Sequence, residues 1–378
     1  MNIHITLVGG QTLPVYLGIR HAKPDKVIFI CSQDTEKDAS LLQNEMLCQS
    51  EVILLDPVDY TSIVNCALKL RQQYSSEQDE VTVNITGGTK LWVIAFYGIF
   101  VRFSTVLYVD QNGYLLDLCT GKKQLMDVRL DYDLVFKLNN NVAKSYRLIT
   151  EYTDEDKRAL DKIKKLRLCN YKVFNSLSVF LKREWAEDLI KEDEGGWELP
   201  NRSSVAWNKQ TNEIAIDIFD SRGCFVQEHL SSSHVFSLFF HSGWFEYEVA
   251  EMLSKWKYAK EVLLNVVFPY KNGDSKNEID VIVNTGFKLL FVECKTQIFD
   301  QTDIDKFNNA VKNYGGMGCK ALFITESEMR VQAKEKCADS HILTFSIREQ
   351  IRLGKFTEEI CDALYAELES DLFNINPK

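Results

Sequence analysis

The residues best placed to do chemistry lie in "EIDVIVNTGFKLLFVECKTQ", which spans positions 278 to 297. Asp280, Glu293 and Lys295 interrupt runs that otherwise have the apolar, β-branched composition of buried strands. Side chains alternate between the two faces of a strand, so Glu293 and Lys295, two residues apart, share one face. If Asp280 lies on the neighbouring strand of the same sheet, all three side chains converge on one point.

Two carboxylates held close together repel each other unless a cation lies between them. Mg²⁺ and Mn²⁺ prefer oxygen ligands, which Asp280 and Glu293 supply, and a lysine beside them can orient water and stabilise charge on a phosphate. The pattern therefore indicates metal-assisted phosphate chemistry. The alternative is a solvated sheet edge, on which the acids pair with Lys295 and other surface lysines.

A helix predicted from "HSGWFEYEVAEMLSKW" precedes these strands and adds a candidate acid, Glu246. Glu248 on the same helix is its rival, and either could be only a surface charge. Three features favour a site over a solvated edge: the acids lie inside apolar strands, the lysine follows Glu293 by two residues, and this helix comes before them in the chain.

A second polar cluster surrounds "VNITGGTKLW", in which Gly87 and Gly88 fall where a strand ends and a helix begins. Such a turn exposes backbone N–H groups, and the helix N-terminus favours anions. Thr86, Thr89 and Lys90 add hydroxyls and a positive charge. The segment matches neither a Walker A loop nor G-x-G-x-x-G. A tight strand-to-helix turn without a ligand is the alternative interpretation.

Two further polar segments favour a ligand at this edge. "GGQT" follows the first predicted strand and "CSQDT" the second, so Gln11, Thr12, Ser32 and Asp34 fall at strand carboxyl ends. Ligands of open parallel sheets bind at that edge.

The order of predicted elements divides the chain into two different α/β folds. Residues 1–140 alternate strand and helix patterns, which predicts a Rossmann-like domain with a parallel sheet. Residues 141–170 are predicted as a linker, with a helix capped by Thr153 and Asp156. Residues 171–378 are predicted as a second α/β domain, in which a helix, three strands, a helix and a returning strand follow an extension that is harder to assign.

Composition limits the function classes. The chain has 378 residues, is 45% hydrophobic and carries a formal charge of −10, which argues against broad nonspecific affinity for nucleic acid but not against a local basic groove. The basic stretch "DKIKKLRLCNYK" fits a solvated linker helix better than such a groove. Ten cysteines without a C-x-x-C pair, no long apolar run and no signal-peptide pattern predict a cytoplasmic protein with reduced thiols and no membrane contact.

At its acid cluster the chain resembles the PD-(D/E)xK nuclease superfamily. Asp280, then Glu293-Cys294-Lys295, carry the match, with Glu246 in "WFEYE" on the preceding helix. The resemblance implies that Asp280, Glu293 and the backbone carbonyl of Cys294 bind Mn²⁺ or Mg²⁺, and that Lys295 serves the attacking water. It also implies that Glu246 extends the metal site. "NEID" replaces the proline-aspartate pair of the family motif.

The first predicted domain resembles the CARF domain, the CRISPR-associated Rossmann fold, through "ITGGTK" after a central strand. The resemblance implies a homodimer of type III CRISPR defence that binds a cyclic oligoadenylate, most often cyclic tetra-adenylate, across its twofold axis. Gly87, Gly88, Thr89 and Lys90 match the ligand-binding turn. Gln11, Thr12, Ser32 and Asp34 are added by strand position alone.

Together the two resemblances predict an activator-dependent, metal-dependent endonuclease with a nucleic-acid substrate, preferably single-stranded RNA or DNA. Three alternatives remain at this stage. One is a sensing regulator that binds nucleic acid or a partner without cleavage. A second is a ring nuclease that degrades its own cyclic ligand, and a third is a repair or restriction nuclease that needs no activator.

Overall fold

The computed structural model describes residues 1–110, 113–126, 131–178, 192–219, 225–270, 272–286, 288–297, 302–316 and 319–373. These residues form a seven-stranded, a four-stranded and a six-stranded sheet. The seven-stranded sheet builds the first unit and the six-stranded sheet the second, so the predicted pair of different α/β folds is confirmed.

The first unit is a Rossmann-like sheet in the order β3-β2-β1-β4-β5-β6-β7, parallel from β3 to β5 and antiparallel at β6 and β7. Its apolar strands are covered by helices on both faces, as parallel sheets require. Its elements are β1 (Asn2–Leu7), α1 (Thr12–Ala22), β2 (Lys26–Cys31), α2 (Glu36–Asn44), β3 (Gln49–Leu54), α3 (Tyr60–Gln73), β4 (Glu80–Asn84), α4 (Lys90–Phe100), β5 (Thr105–Val109), β6 (Tyr114–Asp117), β7 (Lys123–Leu125) and α5 (Tyr132–Leu138).

The hairpin predicted after β5 is present as β6 and β7. Residues 111–112 and 127–130 of the predicted hairpin segments lie outside the described part of the chain.

The second unit is a mixed sheet in the order β17-β16-β15-β14-β13-β8, antiparallel from β13 to β15 and parallel from β15 to β17. One of its helices, α9, packs against β13, β14 and β15. The elements are β8 (Ser145–Leu148), α9 (Gly243–Ser254), β13 (Glu261–Pro269), β14 (Ser275–Asn284), β15 (Leu289–Lys295), α10 (Thr302–Gly315), β16 (Lys320–Thr325), α11 (Val331–Asp339), β17 (Ile342–Ser346), α12 (Ile347–Arg352) and α13 (Thr357–Phe373).

The extension that the sequence leaves unassigned contains an antiparallel four-stranded sheet in the order β12-β11-β10-β9. Its inner side chains share one hydrophobic core with α9 and the six-stranded sheet. Residues 179–191 and 220–224 of this extension are outside the described ranges. The elements are α6 (Asp154–Cys169), α7 (Tyr171–Ser178), β9 (Glu194–Glu198), β10 (Ser204–Asn208), β11 (Glu213–Phe219), β12 (Phe225–Ser231) and α8 (Val235–Phe239).

The segment predicted as a linker contributes structure to the second unit. Residues of β8 pair with β13, so this segment supplies the edge strand of the six-stranded sheet. Helix α6 begins at the predicted cap, where the Asp156 carboxylate accepts from the Thr153 N–H at 2.8 Å. Its apolar face, which includes Ile163 and Leu166, is buried in the core that it shares with α9.

Helix α4 differs from its prediction as a buried helix. Trp92, Phe96 and Phe100 are buried, but Ile94 is 60% exposed and Tyr97 37%. One apolar face of this helix therefore lies on the surface of the described chain, directly after the glycine turn.

No helix within the described ranges is long and apolar enough to cross a membrane.

Candidate active site and sensor turn

The sheet register brings the acid cluster together. Strands β14 and β15 are antiparallel with Val281 opposite Val292, so the next pair in the same register is Asp280 and Glu293. The Lys295 Nζ lies 2.5 Å from a Glu293 carboxylate oxygen and 3.8 Å from an Asp280 oxygen. The predicted convergence of these three side chains is therefore present in the structure.

Cys294 fixes Asp280 through its backbone. The Cys294 N–H donates to the Asp280 carboxylate at 2.7 Å, while the Cys294 side chain points to the opposite face, into the core. Asp280 is 9% exposed, so this bond holds a carboxylate that has little contact with water. Because side chains alternate along β15, Glu293 and Lys295 face the acid cluster while the Cys294 side chain between them packs in the core.

Glu246, and not Glu248, faces the cluster. The Glu246 carboxylate accepts from the Asn265 side chain at 2.8 Å, and the negative charge of Asp280 acts on it. Glu248 instead pairs with Lys164 of α6 at 2.9 Å. The two acids lie two residues apart on α9, so they point in different directions around the helix.

The electrostatics of the cluster are those of crowded carboxylates around one ammonium. Shielding from water, together with the negative charge of Asp280, raises the pKa of Glu246 and that of Glu293 to about 8. Burial alone lowers the pKa of Lys295, but the Asp280 and Glu293 carboxylates outweigh burial and raise it. The site favours additional positive charge.

The donor chemistry fits a divalent cation. The Asp280 and Glu293 carboxyl groups converge on the Lys295 ammonium, which compensates their charge, and the charge of Asp280 also acts on Glu246. Within the described ranges no three acidic, histidine or cysteine side chains are preassembled as a metal cage. A cation bound to Asp280 and Glu293 would therefore share these carboxylates with the Lys295 ammonium.

The glycine turn lies at the switch point of the first sheet, where β1 and β4 are neighbours and the chain reverses its direction across the sheet. A Cβ at Gly87 would collide with the Leu7 carbonyl oxygen, and Gly88 has a φ of 80°. Both positions therefore need glycine because the turn is pressed against the end of β1.

The threonine hydroxyls near this edge are engaged inside the protein. The Thr86 hydroxyl donates to Asn84 at 2.5 Å and accepts from the Val109 N–H at 2.8 Å. The Thr12 hydroxyl donates to the Leu138 carbonyl at 3.1 Å. The Thr89 hydroxyl accepts from Trp92 N–H and donates to the Pro57 carbonyl. These residues hold the turn in shape rather than present free hydroxyls.

The other sequence-predicted residues differ in accessibility. Lys90 is exposed at the first position of α4 and Asp34 is exposed after β2, whereas Gln11 is half-buried at the start of α1. Ser32 is 8% exposed and lies 3.2 Å from the Thr35 hydroxyl. Lys90 is the candidate whose charge is best placed to meet an anion at the turn.

The sequence analysis does not identify two asparagines that contact candidate site residues. Asn84 orients Thr86, and Asn265 contacts Glu246. The available signal is weak: each is an amide inside an apolar strand pattern, "VTVN" and "LLNVVF", where a polar side chain needs a partner.

Comparison with known proteins identifies the family of the first unit. Residues 3–133 match the family model described as the Card1 CARF domain, so the first unit is a CARF domain. No curated protein matches the chain.

Solved structures share the fold of both units. Can2 from Sulfobacillus thermosulfidooxidans in complex with cyclic tetra-adenylate is 18% identical, with a TM-score of 0.66 over 98% of this chain and 99% of that one. Protein VC1899 from Vibrio cholerae is 14% identical, with a TM-score of 0.73 over 98% of each chain. A type III CRISPR defence DNA nuclease activated by cyclic oligoadenylate is 15% identical, with a TM-score of 0.51 over 94% of this chain and 52% of that one.

Proposed function

We propose that this protein is a metal-dependent endonuclease that a cyclic oligoadenylate activates in type III CRISPR defence. The observation that carries the proposal is the convergence of Asp280, Glu293 and Lys295 on neighbouring strands, in a chain whose first unit is a CARF domain. A bound divalent cation and a positioned water promote the hydrolysis of a phosphodiester, and the second unit offers side chains that would hold both.

In the proposed reaction, Asp280, Glu293 and the backbone carbonyl of Cys294 would hold Mg²⁺ or Mn²⁺, and Glu246 would supply a further carboxyl group. The cation supplies Lewis-acid stabilisation of the phosphate and of the attacking water. Lys295 orients that water and donates to a phosphate oxygen. The water oxygen forms a bond to phosphorus as the bond to the 3′ oxygen breaks, which leaves a 5′-phosphate and a 3′-hydroxyl.

The proposed activator is cyclic tetra-adenylate, the ligand in the Can2 structure. Lys90 and the backbone N–H groups of the turn at Gly87 and Gly88 offer positive charge and donors to its phosphates. A ring bound across two protomers shifts the dimer toward one arrangement because its affinity for the two arrangements differs. The proposed assembly is a cytoplasmic homodimer, and the exposed apolar face of α4 is its proposed contact beside the ligand.

The proposed substrate is single-stranded RNA or DNA. The net charge of −10 does not suit a protein that clamps a long duplex through phosphate contacts. One solved structure of the same fold belongs to a DNA nuclease, which supports a nucleic-acid substrate.

A second candidate function is a sensing regulator that binds nucleic acid without cutting it. The direct contact of Lys295 with Glu293 favours it, because in this arrangement the ammonium occupies the place of a cation. Cleavage of labelled single-stranded RNA and DNA, measured with cyclic tetra-adenylate and increasing Mn²⁺, separates the two. We expect metal-dependent cleavage that Glu293→Gln abolishes and the control Glu248→Gln retains. Binding of nucleic acid without cleavage at any Mn²⁺ concentration would contradict the proposed nuclease and support the sensing regulator.

A further inference from the structure

A bulge in β13 directs the Asn265 side chain toward the acid cluster. Leu264 pairs with Val281 and Val266 with Ile279, so Asn265 lies opposite Asp280. On the other side, pairing with β8 shifts between Leu264 and Val267. Asn265 has a φ of 52°, in the left-handed region. Such bulges interrupt a ladder and redirect a side chain, often beside an active site.

The Asn265 amide contacts two acids at once. Its Nδ2 donates to Glu246 at 2.8 Å and to Glu278 at 3.0 Å. A carboxyl oxygen accepts each of these bonds, and an amide nitrogen carries two hydrogens, so both donors are used. A lysine here would also bridge the acids, but its charge would compete with a cation. An amide bridges them without adding charge.

We propose that Asn265 is the positioning residue of the acid cluster, which holds Glu246 beside Asp280 as the third carboxyl group of the cation site. This inference rests on the proposed function. The Glu246 carboxylate is repelled by Asp280 and by Glu278, so without a donor it would turn away from them. Asn265 offsets that repulsion from the strand position opposite Asp280, where its side chain donates to Glu246.

Asn265→Gly tests the role with little backbone strain, because glycine adopts positive φ readily. The matched control is Asn212→Gly, at another left-handed asparagine with a φ of 53°, in the turn between β10 and β11. Calorimetric titration of the full chain with Mn²⁺, without substrate, measures the affinity directly. Loss of an outer-shell partner typically weakens a metal site by about ten- to a hundredfold, and we expect a loss of that size for Asn265→Gly only.

A double-mutant cycle assigns the effect to Glu246. If Asn265 acts through that carboxylate, Glu246→Gln weakens Mn²⁺ binding by itself, and adding Asn265→Gly to it weakens binding little further. Wild-type affinity in Asn265→Gly would overturn the positioning role alone. Additive losses in the double variant would also overturn it. Absence of Mn²⁺ binding in the wild-type protein would instead overturn the metal-dependent part of the proposed function, and this inference with it.

Discussion

The Lys295 ammonium has two roles in the proposed active site. It neutralises the charge of Asp280 and Glu293, and it donates to a phosphate oxygen of the substrate. It lies 2.5 Å from Glu293 and 3.8 Å from Asp280. A divalent cation and this ammonium compete for the same carboxylates, since each lowers the repulsion between them. In the proposed mechanism, Lys295 therefore weakens the binding of the cation but is needed to stabilise charge on the phosphate.

Lys295→Met separates these demands. We expect Mn²⁺ to bind at least as tightly as in the wild-type protein, because the competing ammonium is gone, while cleavage falls by about a hundredfold or more through loss of the charge that stabilises the phosphate. Calorimetric titration measures the first quantity and a cleavage assay the second. Weaker Mn²⁺ binding in the variant would contradict this account of the competition.

A second titratable group lies in the sensor unit. His4, in β1, is 0% exposed, and neither of its ring nitrogens has a hydrogen-bond partner within the described ranges. Burial, together with the charge of His21, lowers the pKa of His4 to about 3. The ring stays neutral in the folded protein, while in the unfolded chain it takes up a proton near its ordinary pKa.

Acid should therefore destabilise the protein through His4. The folded pKa lies below the unfolded value, so stability is fully present above about pH 6.5 and is lost as the pH falls toward about 3, by about 1.4 kcal/mol per pH unit. We expect the free energy of unfolding to fall more between about pH 7.5 and about pH 5 in the wild-type protein than in His4→Leu. Urea unfolding at both pH values tests this, and equal losses in the two proteins would contradict it.

Some of the site follows from sequence at the residue scale, and some does not. The period of two along a strand is enough to place Glu293 and Lys295 on one face, and the register does put Asp280 opposite. Asn265 is missed because its left-handed backbone and its contact with Glu246, 19 residues away, leave no periodic pattern. The engaged hydroxyls of the threonines at the turn are missed for a similar reason, since their partners lie on other elements.

At the scale of elements, Asn84 ties the end of β4 to the glycine turn. Its side-chain oxygen accepts from the Thr86 N–H at 3.0 Å and from the Thr86 hydroxyl at 2.5 Å. The Asn84 amide nitrogen lies where a Cβ at Gly18 of α1 would collide with it. A helix, a strand and the sensor turn therefore meet at one buried side chain.

Asn84→Leu, which is similar in size, removes the acceptor and leaves two donors of Thr86 unpaired. An unpaired buried donor costs about 1–3 kcal/mol, so we expect lower stability together with weaker binding of cyclic tetra-adenylate as the turn loosens. Denaturant unfolding and calorimetric titration with the ligand measure these effects. Unchanged ligand affinity, despite reduced stability, would show that the turn does not depend on Asn84.

The exposed face of α4 predicts the oligomeric state. Ile94 and Tyr97 lie one helical turn apart on this face, and Gly98 beside them has open space around it. A lysine at position 94 would place a charge in the proposed dimer contact. We expect the wild-type protein to be the proposed dimer and Ile94→Lys to be a monomer in analytical ultracentrifugation. The control Leu47→Lys alters a residue that is 97% exposed between α2 and β3, and it should remain dimeric. A dimeric Ile94→Lys protein would contradict the assignment of this surface.

Sequence patterns predict the long, regular elements and fail where context decides. The Rossmann alternation is clear because each apolar strand is buried on both faces. Strand β8 is missed because four residues, "SYRL", join β13 more than a hundred positions later in the chain. The exposure of one face of α4 is missed because hydropathy alone does not distinguish a helix buried in its own chain from one with an apolar surface.

At the scale of the whole molecule, the two units meet near the sensor edge. Gly10, Gln11 and Thr12, after β1, line a cavity together with Lys288 and Lys320, which lie at the starts of β15 and β16. The opposite end of β15 carries Glu293 and Lys295. The strand of seven residues spans about 20 Å at about 3.3 Å per residue. The loop after β1 therefore lies beside the start of the strand whose other end carries the proposed active site.

A direct test of the account is cleavage of labelled single-stranded RNA and DNA with Mn²⁺, in the presence and absence of cyclic tetra-adenylate. Wild-type protein, Glu293→Gln and Lys90→Ala are compared, with Glu248→Gln as the control for a charge change beside the site. The account predicts that wild-type protein and Glu248→Gln cleave only with the activator. It predicts no cleavage by Glu293→Gln. It predicts that Lys90→Ala cleaves only at a higher activator concentration than the wild-type protein needs. Equal cleavage with and without the activator would contradict the coupling of the two units.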